Sequence, residues 1–127
     1  MTLRERQSRF WVMVARLIAC AEASGTPIVV LEWMRSKETQ AIMVARGSSK
    51  TMNSNHLLGL AVDVCFIDDL MDDSVINYSR EKYKLLGEFW ETMGGRWGGR
   101  FGDNPATPQI EGWDCGHFEL AGPTIRR

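Results

Sequence analysis

Residues 54–67 read "SNHLLGLAVDVCFI", and the second half of this stretch decides the fold. From Leu60 to Ile67 every position is apolar except Asp63, which marks a short strand with at least one buried face. On the two-residue period of a strand, Asp63 shares a face with Ala61 and Cys65, while Leu60, Val62, Val64 and Phe66 form the other. A carboxylate in such a run is costly to bury unless it is paired or bound to a metal. It is also compatible with the outward face of a half-exposed strand, and periodicity leaves both readings open.

Working outward, Thr2 to Ser24 carries apolar residues at helical spacing (Phe10, Met13, Val14, Leu17, Ile18, Ala21), with Gly25 as its stop. Pro27 to Leu31, "PIVVL", predicts a short buried strand. Ser36 is placed to cap a helix over Lys37 to Ala45, which Gly47 ends. "GSSKTMNSN" (47–55) and "DDLMDDS" (68–74) read as loops, the second solvated. Glu81 to Met93 predicts a third helix, and "GGRWGGRFGDNPATPQIEG" (94–112) should be mostly turns. A last strand is expected over His117 to Leu120. Helices and strands mix without a regular βαβ rhythm. The expectation is one α+β domain over residues 1–127, with a small, mainly antiparallel sheet flanked by helices.

Composition narrows the function. The chain has 127 residues, 44% apolar and 24% charged, with a net charge of −1. That balance lacks the clustered basic surplus of a nucleic-acid binder and gives no pull toward anionic surfaces. Cys20, Cys65 and Cys115 are odd in number and scattered, so reduced thiols are expected rather than a disulfide framework. Arg4, Arg6 and Arg9 before an apolar stretch faintly suggest a signal segment, with "ACAEA" as its cleavage site. Arg16 interrupts that stretch, and an amphipathic helix docked on the core is the preferred reading. No apolar run is long enough to span a bilayer, so stable membrane insertion is not expected.

The chain has two histidines, His56 in "SNHLLGLAVDV" and His117 in "WDCGHFEL". Gly59 permits a tight bend that could return His56 beside the strand carrying Asp63. Two imidazoles and one carboxylate would leave a fourth position open for water, as in catalytic zinc sites. Ordinary surface or core placement of both histidines is the competing reading, and spacing alone does not exclude it.

Three motifs in order carry a resemblance. Ser54-x-His56-x-x-Gly59-x-Ala61-x-Asp63 resembles the first signature of the D-alanyl-D-alanine carboxypeptidase and L-alanyl-D-glutamate peptidase family, which includes vancomycin-resistance peptidases and phage endolysins. Asp114-x-x-His117-x-Glu119 is similar to its second signature, and Arg35-Ser36-x-x-x-Gln40 to its upstream arginine motif. The resemblance spans Arg35 to Glu119 and implies the hedgehog-type fold of these zinc peptidases. It implies His56, Asp63 and His117 as ligands of Zn2+, Asp114 as general base, and Arg35 as the group facing the oxyanion. Ser54, Gln40 and Glu119 take substrate-binding or ligand-orienting positions. As a bare turn residue in "WDCG", Asp114 has a bland reading too.

The resemblance further implies a peptidoglycan stem peptide as partner, with the bond between L-Ala and D-Glu favoured. A D-Ala-D-Ala carboxypeptidase and a non-catalytic zinc-binding domain of the same fold are the alternatives. Arg35 and Asp114 speak against the last, since a structural metal site needs neither. The expected setting is a monomeric phage-type endolysin without a wall-binding domain, held in the host cytoplasm until a holin-like partner releases it to the wall. Other motifs are weaker. Cys115 and His117 lack a third group to orient them as a cysteine peptidase pair. "GGRWGGRFG" lacks the ending of a phosphate loop and reads as a cleft wall, where Trp97 and Phe101 would pack or touch substrate. Asp68, Asp69, Asp72 and Asp73 lack calcium-loop spacing.

Overall fold

The protein is described here by a computed structural model covering residues 1–47, 54–71, 76–101 and 114–121. Helix α1 (Leu3–Ala23) starts at a reciprocal cap: Thr2 Oγ1 accepts from the Glu5 amide at 3.1 Å, and the Glu5 carboxylate accepts from the Thr2 amide at 3.3 Å. Phe10, Met13, Val14, Leu17 and Ala21 form its buried stripe. Ile18, expected in that stripe, is 40% exposed because it lies on the stripe's margin. Among the described residues no helix is long and apolar enough to cross a membrane.

Four strands form an antiparallel sheet in the order β1-β2-β4-β3: β1 (Ile28–Glu32), β2 (Ala61–Phe66), β3 (Arg96–Trp97) and β4 (His117–Glu119). Val62, Val64 and Phe66 of β2, Phe118 of β4 and Trp97 of β3 pack into the core with α1 and with Tyr83, Leu86 and Trp90 of α4 (Arg80–Thr92). The sheet's other face carries Asp63, His117 and Glu119. Helix α2 (Lys37–Ala45) begins where expected, with Ser36 accepting from the Thr39 amide at 3.0 Å.

Three local expectations are corrected. The first strand is not buried throughout: it is the sheet's edge, so only Ile28 is buried while Val30 and Leu31 are exposed. The acidic segment is not all solvated loop, because α3 (Ile67–Met71) occupies its first part and Asp69 is buried. Lys82 of α4 compensates that carboxylate at 2.6 Å; Asp72 and Asp73 fall outside the described residues. The Gly/Trp-rich segment, expected to be mostly turns, also contributes the short strand β3 beside a 3-10 turn (Gly98–Arg100). Trp97 causes this: it is fully buried and its indole N–H donates to the Cys115 carbonyl at 2.8 Å. Residues 102–113 of that segment lie outside the description.

Trp97 needs a bare helix surface beneath it. A Cβ on Gly87 of α4 would come within 2.1 Å of the Trp97 ring. Gly87→Ala is therefore expected to destabilise the fold by about 1–3 kcal/mol through overpacking, despite a helix-propensity gain of roughly 1 kcal/mol. Urea denaturation checks this; an unchanged or raised midpoint contradicts it.

Candidate metal centre

Antiparallel register builds the centre. Asp63 on β2 is directly opposite His117 on β4, and Glu32 on β1 is opposite Asp63 on its other side. His56 arrives from a 3-10 turn (Asn55–Leu58) that Ser54 caps, its hydroxyl accepting from the His56 amide at 3.2 Å. Gly59 closes this turn at φ +67°, a conformation that glycine adopts without a steric penalty. The chain then enters β2, which brings His56 back beside Asp63.

One ligating atom from each of His56, Asp63 and His117 lies within 4.8 Å of the other two. His56 Nδ1 donates to the Trp33 carbonyl at 2.6 Å, which turns Nε2 toward Asp63. That nitrogen lies 3.1 Å from Asp63 Oδ2 but is buried without a hydrogen-bond partner among the described residues. On His117, Nε2 is 2.7 Å from Glu119 Oε1 and Nδ1 is 3.0 Å from Asp63 Oδ1. Glu119, itself buried, is held by the Asn55 side-chain amide at 2.9 Å and by Arg96 at 3.3 Å. Each imidazole thus spends its outer nitrogen on a fixed acceptor and aims the inner one at the same point. That is the arrangement by which proteins orient metal-binding histidines. An orphaned, buried His56 Nε2 beside a carboxylate and a second imidazole fits a divalent metal, and the donor set suits zinc.

Without metal the trio is an ion cluster. Burial pushes the Asp63 carboxyl up, but His117 and His56 outweigh it and hold the group well below the usual carboxylate range. Burial alone would drive the proton from His117, yet its bonds to Asp63 and Glu119 prevail, and its pKa is pushed up to about 10.

A cleft of about 440 Å³ opens beside the trio, lined in part by Glu32, Arg35, Asp63, Tyr78 and Asp114. Asp114 Oδ2 is 3.8 Å from His117 Nδ1. Burial raises the pKa of Asp114, and the charges of Asp63 and Glu119 add to the rise against the pull of His117 and His56. Arg35 is buried, donating from Nη1 to Gln40 Oε1 at 2.6 Å and from Nη2 to Glu32.

The family model described as D-alanyl-D-alanine carboxypeptidase matches residues 47–120, more than half of the chain. The chain belongs to this family. An L-alanyl-D-glutamate peptidase of Listeria phage A118 is 36% identical over 93 residues, which are 71% of this chain but 33% of that protein. The chain thus spans about a third of that relative's length. The crystal structure of the Serratia marcescens L-Ala D-Glu endopeptidase ChiX superposes with a TM-score of 0.57 at 30% identity, covering 84% of this chain and 77% of that one. The vancomycin-resistance D,D-pentapeptidase VanY, solved in complex with Zn(II), shares the fold at a TM-score of 0.57 and 24% identity, over 90% of this chain and 71% of that one.

All eight residues singled out in the sequence lie in or beside this centre. His56, Asp63 and His117 converge, and Asp114 and Arg35 line the adjoining cleft. Ser54 and Gln40 act one step back, on the turn carrying His56 and on the Arg35 guanidinium. Glu119 touches His117 directly. Trp97 is core, whereas Phe101 stands 5.4 Å from the His117 ring. Cys115 is buried in the core cluster.

The sequence reading missed Glu32, Trp33, Asn55, Tyr78, Arg96 and Gly98. Trp33 acts through its backbone carbonyl, which no side-chain pattern signals. Gly98 is needed because a Cβ there would meet the Asp114 carbonyl at 1.9 Å. Glu32 alone left a trace: it is an acid ending an apolar run, three positions before Arg35.

The raised pKa of His117 fixes the sign of a pH effect. Below about pH 10 metal-free His117 carries a proton that an incoming metal must displace. Zinc binding at neutral pH is expected to release about one proton, with affinity rising roughly tenfold per pH unit. Titration calorimetry in buffers of different ionisation enthalpy measures this; binding without proton release contradicts it.

Proposed function

We propose that the chain is a zinc-dependent peptidoglycan peptidase of phage endolysin type that cuts the bond between L-Ala and D-Glu in the stem peptide. One observation carries the reading. His56, Asp63 and His117 converge on one point, and Asp114 and Arg35 line the cleft beside it. The choice of bond rests on two relatives, the phage A118 peptidase and ChiX, both named for this linkage and more similar in sequence than VanY.

Zinc held by His56, Asp63 and His117 would supply Lewis acidity, making a water more acidic and a carbonyl more electrophilic. The remaining work falls to the chain. Asp114, its pKa raised by burial, accepts the proton of the attacking water and returns it to the leaving nitrogen. Arg35, anchored by Gln40 and Glu32, faces the negative charge that develops on the carbonyl oxygen. Glu119 holds the His117 ring through Nε2 and leaves Nδ1 free to ligate. Tyr78, in ring contact with Tyr83 at 5.8 Å, forms a wall against which a stem peptide can lie.

Digestion of purified peptidoglycan followed by mass spectrometry tests the reading. Stem fragments beginning at D-Glu are expected, and release of terminal D-Ala alone would instead assign a carboxypeptidase. Chelation should abolish the activity and zinc should restore it. Asp114→Asn should retain zinc while losing about 10²–10⁴ in rate, the usual worth of a general base. Loss of zinc from that variant would make Asp114 a ligand rather than the base.

A further inference from the structure

We propose that Glu32 is a positioning residue that keeps Arg35 away from Asp63 and so leaves the Asp63 carboxylate available to the metal. The inference rests on the zinc-peptidase reading and concerns a residue outside the three motifs.

The Arg35 side chain is 6% exposed, so its guanidinium must find acceptors inside the protein. Three are at hand. Gln40 takes Nη1 at 2.6 Å, Glu32 takes Nη2, and Asp63 Oδ2 stands 3.8 Å from that same Nη2. The last distance is too long for a hydrogen bond. An arginine and a carboxylate this close ordinarily form a charge-assisted pair, one of the strongest polar contacts available to a protein. Asp63 would then spend its lone pairs on Arg35 rather than on a cation.

The neutral Gln40 holds one edge of the guanidinium but cannot outcompete a carboxylate for the other. Glu32 can, and the backbone puts it there. The register between β1 and β2 slips between Val30 and Glu32, and beyond the slip Glu32 is directly opposite Asp63. Arg35 is thereby pinned between β1 and α2, close to Asp63 yet not bonded to it.

Zinc affinity of the metal-free full chain, measured by competition with a chromophoric chelator, tests this without relying on activity. Glu32→Ala is expected to weaken zinc binding about 10- to 100-fold, as loss of a ligand-supporting group commonly does. Glu32→Gln leaves only a neutral acceptor, which cannot outcompete the Asp63 carboxylate for Arg35, and should weaken binding about as much; it is also the test variant if Glu32→Ala fails to fold by circular dichroism. The decisive comparison is Arg35→Met against Glu32→Ala/Arg35→Met. With Arg35 gone, the effect of Glu32→Ala should vanish. An equal loss in both backgrounds would show that the Glu32 charge acts on the metal directly, and no loss in either would leave Glu32 without a role; both overturn the inference. Failure of the unmodified chain to bind zinc would instead remove the peptidase reading itself.

Discussion

The antiparallel register of β1, β2 and β4 is the constraint on which the centre depends. It sets Glu32, Asp63 and His117 side by side across three adjacent strands. The same register sets Val62 opposite Phe118, one residue along and on the opposite face, where both are fully buried. A strand slipped by one residue exchanges its two faces. Burial of Val62, Val64 and Phe118 therefore holds the polar row in register as firmly as any contact within that row. Core and chemistry are two sides of one sheet, and the apolar side supplies the free energy.

Groups with no chemical role of their own maintain the row. The Trp33 carbonyl and the Glu119 carboxylate each fix one imidazole through its outer nitrogen. Glu119 is in turn tied to Asn55, the residue next to His56, and to Arg96 on the far edge strand. The turn bearing His56 and the strand bearing His117 therefore share an anchor, and displacing either shifts the other. On the open side the Arg35 amide donates to the His56 carbonyl at 2.9 Å, joining the segment after β1 to the same turn. Such double fastening is what a site needs when its donors come from separate stretches of chain.

The residues that meet at the centre were legible because they stand at fixed spacing in the sequence. Asp63 was conspicuous as an acid in an apolar strand, and its family motif decided between two readings that periodicity left equal. The start of α2 was legible from its cap Ser36, whereas Thr2 and Ser79 also accept a bond from the first turn that follows them but were not read as caps in the sequence. What escaped was set by tertiary context. The burial of β1 depends on its place at the sheet edge, which composition does not encode. β3 forms because Trp97 finds a socket over Gly87, a pairing of residues from separate elements. Asp69 is tolerated inside because Lys82 happens to reach it.

Charge balance ties these parts to the proposed chemistry. The centre collects four carboxylates (Glu32, Asp63, Asp114, Glu119) against Arg35, Arg96 and the two histidines. In the metal-free protein the proton on His117 offsets part of that excess, which is why its affinity for the proton is so high. Exchanging that single proton for a divalent cation leaves the centre one charge more positive. Asp114, whose pKa burial holds up, lies at the edge of the same cluster, where a bound cation would lower its proton affinity. In the proposed reaction burial and the cation would act on Asp114 in opposite directions, the first raising its affinity for a proton and the second lowering it. A carboxylate more exposed to solvent would lack the first influence and serve poorly as a base. The close approach of the Asp114 turn, which a bare Gly98 permits, would then serve the proposed chemistry as well as the packing.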